Sequence, residues 1–291
     1  TALATEFLSK GDLLVYNKGA HYPREDFKSP RDGRLKEIPL SILVNENSAS
    51  ASEIFAGAMQ DLDRALIVGR RTFGKGLVQV PFELRDGSVV RLTVARYYTP
   101  SGRSIQKSYA KGFEAYAEDI EDRYLHGEFY SADSISRPDT TRYYTRMGRV
   151  VYGGGGITPD IFTPRDSTGI NTYYLRLLRS GTFQRFAFSY ADRQRARLSA
   201  LGSDKAILDY LQAQGDQIVY AYANYAQQHG VPQRPGHLQE SLPILRRDLV
   251  ALIADMLGGD KNAYYRARNE QDPEVLTALE RLASPHWRPT K

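Results

Sequence analysis

The spacing of apolar positions changes character near residue 166. Before it, the pattern is that of short strands and one helix. Residues 38–44 (Ile-Pro-Leu-Ser-Ile-Leu-Val) form an apolar run of strand length. Over 51–62, Ile54, Ala58 and Leu62 recur at i, i+4 and i+8, which predicts a helix with one buried face. Ala65-Leu66-Ile67-Val68 is a second apolar run, so 38–68 reads as strand, helix, parallel strand. Two alternating segments, 77–84 and 89–96, flank Arg85-Asp86-Gly87-Ser88, whose Asp-Gly pair marks a hairpin. Residues 106–150 are polar, rich in Tyr and charge, and without clear period; they read as an insertion. Gly153-Gly154-Gly155-Gly156 is a flexible turn before the extended Ile157-Thr158-Pro159-Asp160.

From about 167 the period becomes helical. Ile207, Tyr210, Leu211, Ile218, Tyr222 and Tyr225 keep that spacing, as do Leu242, Leu245, Leu249, Leu252, Ile253 and Met256. These stripes are core-forming rather than cofactor-binding. Asp272-Pro273-Glu274 is a helix start, with an N-cap, a proline at the first position and an acid in the first turn. The pattern therefore predicts an α/β class, with a β/α core over 1–166 followed by a mainly helical region over 167–291.

Composition narrows the chemistry. The 291 residues include no cysteine, which excludes thiol nucleophiles, thiolate metal sites and disulfides. The net charge of +5 is spread along the chain and reads as a solvated surface, so no nucleic-acid partner is expected. No apolar run reaches the ~18 residues of a spanning helix, so no transmembrane segment is expected. The chain opens on Thr1 without signal-peptide order, and we read it as a mature or excised piece.

Between the first strand and the helix lies Ser48-Ala49-Ser50-Ala51-Ser52-Glu53. Ser50 and Glu53 fit a capping box, a purely structural arrangement. The same geometry suits a nucleophile: a serine at a helix start projects its hydroxyl from the turn. The Ala51 amide then lies at the positive end of the helix dipole, placed as an oxyanion donor. Such a serine needs a base. The five histidines, His21, His126, His229, His237 and His286, fall in a polar loop, the insertion and the helical tail, none near a strand end. Lys75, in Gly74-Lys75-Gly76, is the other candidate. A lysine can act as a base only when neutral, so burial among its glycine and apolar neighbours is expected. With extended backbone from 75, Lys75, Leu77 and Gln79 share one face, where Gln79 can hold the amine or the hydroxyl. Gly69-Arg70-Arg71-Thr72-Phe73-Gly74-Lys75 also fits a phosphate loop, but residue 76 is Gly rather than Ser or Thr, and a β pattern follows.

Several uncommon segments then recur in order. Asn45-Glu46-Asn47-Ser48-Ala49-Ser50-Ala51-Ser52-Glu53-Ile54 is followed by Ala56-Gly57-Ala58-Met59-Gln60-Asp61, by Thr72-Phe73-Gly74-Lys75-Gly76-Leu77-Val78-Gln79, and by 92–105 (Leu-Thr-Val-Ala-Arg-Tyr-Tyr-Thr-Pro-Ser-Gly-Arg-Ser-Ile). With Gly155-Gly156-Ile157-Thr158-Pro159-Asp160 they resemble the C-terminal processing, or tail-specific, serine proteases. The resemblance covers roughly 38–105 and 152–162. It implies a crotonase-like β/α core and cleavage of protein substrates near their C-termini through an acyl-enzyme, with no metal or other cofactor. It implies Ser50 as nucleophile, Lys75 as base and Gln79 as its support. Asp61 matches an acid important in some members and is expected to be structural here. The family's PDZ domain and its upstream strand with a second oxyanion donor are not among these residues, so weak activity of this piece alone is expected. A periplasmic or cell-envelope location and a homo-oligomer are further expectations. The competing reading is a non-catalytic binding module on the same fold.

Overall fold

A computed structural model describes residues 2–137, 139–257, 262–285 and 287; His286 lies outside the described residues. The chain forms two compact units, Thr1–Arg165 with Leu276–Lys291, and Asp166–Val275.

The first unit mixes helix and sheet. Its elements are α1 (Ala2–Thr5), β1 (Leu13–Lys18), β2 (Glu25–Lys28), β3 (Ser41–Val44), α2 (Ala51–Asp61), β4 (Leu66–Gly69), β5 (Leu77–Glu83), β6 (Val89–Tyr98), α3 (Gly112–Leu125), β7 (Tyr143–Tyr144), β8 (Val150–Val151) and β9 (Ile161–Phe162). β3 and β4 pair in parallel, Ser41 opposite Leu66, with α2 as the crossover, and β9 adds in parallel to β4. A second sheet has the order β2-β1-β6-β5 and is antiparallel throughout. The β5–β6 hairpin closes at Gly87, whose φ of 82° suits the turn, and the Leu84 amide donates to the Ser88 carbonyl at 2.8 Å. Ala56, Ala58 and Met59 of α2 pack on Leu14, Val15, Val44, Ile67, Ile105 and Ile157. This one core supports both the parallel pair and the antiparallel sheet.

The insertion contains a helix that the pattern did not predict. α3 shows no clean apolar stripe because its anchor is ionic. Arg123 is buried, pairs with Glu128, and donates to the carbonyls of Arg71 at 2.6 Å and Thr72 at 3.0 Å. From Leu276 the chain belongs to the first unit again, where Ala278 packs on Leu66, Val68 and Ile161.

The second unit is helical: α4 (Thr172–Arg179), α5 (Thr182–Ser199), α6 (Asp204–Ala213), α7 (Gly215–Gln228), α8 (Pro235–Met256) and α9 (Asn262–Asn269), followed by α10 (Pro273–Leu282). The central α8 packs on α4, α5, α6, α7 and α9. Its core includes Tyr173, Leu177, Phe183, Phe186, Tyr222, Leu245 and Leu249. The stripe from Ile207 to Tyr225 is two helices broken at Gln214, just before Gly215, where a side chain would meet Arg246 at 2.4 Å. Asp272 caps α10 as its sequence predicts, accepting from the Glu274 amide at 2.9 Å. Among the described residues no helix is long and apolar enough to cross a membrane.

Candidate active site

α2 starts at Ala51 because the chain turns sharply at Ser50. Ser50 has φ 59° and ψ −117°, one of two non-glycine residues with positive φ among those described. A serine held in this costly region needs surrounding structure to fix it. The fixing group is Glu53. Its Oε2 accepts from the Ser50 amide at 2.9 Å and from the Lys75 amide at 2.7 Å. Its Oε1 accepts from the Gly74 amide at 2.6 Å and the Thr72 hydroxyl at 2.5 Å. One buried carboxylate thus ties the backbones of Ser50 and Lys75 to a single oxygen atom. The 48–50 turn and the 72–75 loop are also joined directly, by the Phe73 amide on the Ser48 carbonyl at 2.9 Å.

Glu53 has no exposed surface. Burial pushes its carboxyl above the ordinary value near 4.5, against the opposing pull of the Thr72 hydroxyl and the amides of Lys75, Gly74 and Ser50. Sequence reasoning took Glu53 for half of a capping box. That half is present, but the same carboxylate also reaches the loop 21 and 22 residues on. The signal available in the sequence was an acid three residues after the serine; nothing marked Thr72 and Gly74 as its other partners. The Glu53 amide donates to the Ser50 carbonyl at 2.9 Å and also faces the Ser50 side chain in the capping-box arrangement, without a side-chain cap hydrogen bond of full geometry.

Above this buried scaffold the reactive groups are exposed. Ser50, Ala51, Lys75 and Gln79 all face solvent. The Ala51 N–H makes no hydrogen bond within the described residues, which leaves it available to an oxyanion. The burial expected of Lys75 is not found. Its flanking glycines are buried instead: a side chain at Gly76 would strike Ile105 at 2.5 Å, and Gly74 lies close to Lys107 and to the 155–156 backbone. The backbone presses inward on both sides of residue 75, and the lysine side chain is left on the outside. No hydrogen bond among the described residues joins the Ser50 hydroxyl, the Lys75 amine and the Gln79 amide, so the structure brings the first two together through their backbones only. Gln79 lies further along β5, just past a register shift at Val78. β5, not a helix, follows Gly74-Lys75-Gly76, which removes the amide cradle that a phosphate loop requires. Of the described histidines, His126 and His229 end α3 and α7, His237 lies within α8, and His21 lies between β1 and β2; none is hydrogen-bonded to Ser50 among the described residues.

Asp61 is committed elsewhere. It pairs with Arg103 at 2.7 Å, and its other oxygen accepts from the Ser101 amide at 3.0 Å; both charged side chains are buried. Gln60 and Asp61 bond the same guanidinium, so the end of α2 is fixed to the turn after β6. The Gly-Ile-x-Pro-Asp stretch is likewise structural. The Ile157 amide donates to the Thr72 hydroxyl at 2.7 Å, and Asp160 accepts from the Ile67 amide at 2.8 Å. A lysine that sequence reasoning passed over, Lys107, is buried beside this loop. Its Nζ lies 4.1 Å from the Phe73 ring centre and 3.1 Å from Asp119. Burial holds its ammonium below the ordinary range, against the opposing pull of Asp119. No cluster of metal-ligating side chains occurs among the described residues.

Comparison with known proteins agrees with this segment-wise picture. Residues 1–115 match peptidase family S41, and residues 173–259 match a family of unknown function, DUF8443. The chain is 59% identical over 105 residues to a chloroplastic C-terminal processing peptidase of Tetradesmus obliquus, covering 36% of this chain and 22% of that protein. It is 47% identical over 94 residues to a carboxyl-terminal-processing protease of Synechocystis, covering 32% and 22%. A solved structure of a photosystem II D1 C-terminal processing protease matches at 44% identity with a TM-score of 0.34, over 36% of this chain and 27% of that one. The chain therefore spans about a fifth of the length of these curated relatives. The stretch that holds Ser50, Glu53, Lys75 and Gln79 lies within the part that matches peptidase family S41.

Proposed function

We propose that the protein to which this chain belongs is a serine endopeptidase that cleaves protein substrates near their C-termini, with Ser50 as nucleophile and Lys75 as general base. The observation that carries this reading is the Glu53 carboxylate, which holds both residues' amides on one oxygen while Ser50 keeps a strained backbone. A strained serine at a helix start, tied to a lysine 25 residues away, is more than a cap requires. In the reaction, the Ser50 hydroxyl attacks the scissile carbonyl carbon and its proton passes to the neutral Lys75 amine. The Ala51 N–H stabilises the oxyanion. The intermediate collapses to an acyl-enzyme, and the leaving amine takes the proton from Lys75. Water then repeats the sequence, with Lys75 again as base. Gln79 supports the amine. A substrate lying across the exposed Lys75 excludes water from it and favours the neutral form. The names of the relatives support C-terminal processing, and a periplasmic or cell-envelope site of action is part of the proposal.

One observation favours the alternative, a binding module without catalysis: Lys75 is exposed in this chain. Peptide hydrolysis by the full-length parent decides between them. Ser50→Ala and Lys75→Ala should each lower kcat/KM by at least about 10³-fold, with the fold verified by circular dichroism. Full turnover in Ser50→Ala would transfer the role to Ser48 or Ser52, and no serine-dependent turnover in the parent would leave the binding module.

A further inference from the structure

A groove of about 700 Å³ lies on one face of the antiparallel sheet, lined by Tyr16 and Lys18 of β1, Arg96 and Tyr98 of β6, and Leu77 and Gln79 of β5. The other face of β1, with Val15 and Asn17, is buried. Tyr16 stacks on Tyr98 at 5.0 Å, so the floor is aromatic. Both charged residues lining the groove are cations. Lys18 stands directly opposite Arg96 in the β1–β6 ladder. Like charges in that relation repel, and no acidic residue lines the groove to relieve them. Neither side chain makes a hydrogen bond or ion pair among the described residues. The nearby Arg24, which lies over the Tyr16 ring, is by contrast already neutralised by Asp26.

We propose that this groove binds an acidic segment of the peptide substrate, with Lys18 and Arg96 holding its carboxylates. The choice of a peptide rests on the peptidase reading and on the place of the groove. Gln79 lines it, and β5, which continues from Lys75, is an edge strand of this sheet. An extended peptide pairing along β5 sends alternate side chains over Leu77 and Gln79 toward the two cations. Two cations with a small aromatic floor suit one or two carboxylates better than the regular run of phosphates on a nucleic acid.

The test uses the 291-residue chain carrying Ser50→Ala, so that nothing is cleaved. Two labelled peptides, identical except that one has Glu where the other has Gln at two adjoining alternate positions, are compared by fluorescence anisotropy. A single-stranded oligonucleotide of similar length serves as a third probe. The Glu peptide should bind about tenfold more tightly at low salt and lose most of that margin as salt screens it. Lys18→Gln with Arg96→Gln should abolish the preference, and Lys18→Glu with Arg96→Glu should reverse it toward a Lys-bearing peptide. Both cations are exposed, so these variants keep the fold, which circular dichroism verifies. Equal binding of the two peptides, a preference that survives the Gln variants, or tighter binding of the oligonucleotide would overturn the proposal. Hydrolysis is not read, so failure here leaves the Ser50 test standing, and failure of that test leaves this one standing.

Discussion

The two units are held by different physics. In the first, charged residues are buried or largely buried in pairs: Glu46 with Arg70 at 2.8 Å, Glu128 with Arg71 at 2.6 Å, Asp61 with Arg103 at 2.7 Å, and Asp63 and Asp160 with Arg149 at 2.7 and 2.5 Å. In the second, aromatic and aliphatic side chains fill the core; among the described residues there the buried carboxylate Asp248 is bonded by the Tyr174 hydroxyl at 2.7 Å and paired with Arg268 and Arg247, whose side chains are partly exposed. Buried ion pairs contribute little net stability, because desolvation offsets their attraction, but they fix geometry and are costly to break. Apolar packing contributes stability without directional bonds. The unit that carries Ser50 and Lys75 thus uses interactions that specify loop positions, and the helical unit uses interactions that fill space.

Breaking a pair in the first unit should give the largest effect. Asp61→Ala leaves the Arg103 guanidinium buried and without its carboxylate. The expected loss is about 3–5 kcal/mol, read as a lower urea midpoint of the first unit. Replacing both partners, Asp61→Leu with Arg103→Met, should recover most of it, since apolar groups of similar volume need no counter-charge. A double variant as unstable as the single one would mean that the bonds to Ser101 and Gln60, rather than the ion pair, matter most.

The same contrast explains what the sequence made legible. The helical unit could be read because its stabilising residues repeat every three or four positions, as Leu242, Leu245 and Leu249 do. The strand–helix–strand stretch and the hairpin were legible for the same local reason. The polar and ionic partners in the first unit are far apart in the chain: Gln60 reaches Asp160, Arg71 reaches Glu128 and Arg149 reaches Asp63. No period reports such pairs, so α3 was hidden within a polar insertion, and β1 and β2 had no pattern to announce them. At the site, the residue types at 50, 75 and 79 were visible, while the carboxylate joining the first two was read only as a cap. The exposure of Lys75 was missed because flanking glycines suggest a close approach without saying which side of the backbone it buries.

In the second unit, Leu249→Ala should cost about 3 kcal/mol by opening a cavity beside the other core side chains. Leu249→Met should cost under about 1.5 kcal/mol. Helical circular dichroism during urea titration measures both. If Leu249→Met were as damaging as Leu249→Ala, the core would depend on exact shape rather than on filled volume, and the contrast with the first unit would weaken.

Glu53→Gln tests the join between the site and its scaffold. The amide keeps one acceptor oxygen and turns a donor toward groups that already donate, so at least one buried donor loses its partner, at about 1–3 kcal/mol. The pH dependence follows from the raised carboxyl of Glu53. The folded chain holds that proton more tightly than the unfolded chain does. Its contribution is therefore greatest at acid pH, falls as pH rises from the unfolded value near 4.5 through the higher folded value, and is constant above that. Glu53→Gln removes this limb. The difference in unfolding midpoint between parent and variant, followed from pH 4 to 8 (about four units), should shrink along it. A difference that does not vary with pH would show that Glu53 does not titrate in that window.

The smallest effect should come from an ion pair that looks as good as Asp61–Arg103 by distance alone. Lys205 Nζ lies 2.6 Å from Asp209, but the side chains are 76% and 58% exposed. Water already solvates both charges, so pairing gains little, and ordering two side chains offsets part of that gain. The orientation is also the weaker one: Lys205 sits in the first turn of α6, where the helix dipole disfavours a cation. Lys205→Ala should therefore leave the urea midpoint unchanged within error at any salt concentration, with alanine's helix propensity offsetting what is lost. A loss approaching that of Asp61→Ala would mean that contact distance, not burial, sets the worth of an ion pair in this protein, and the distinction between the two units would no longer rest on desolvation.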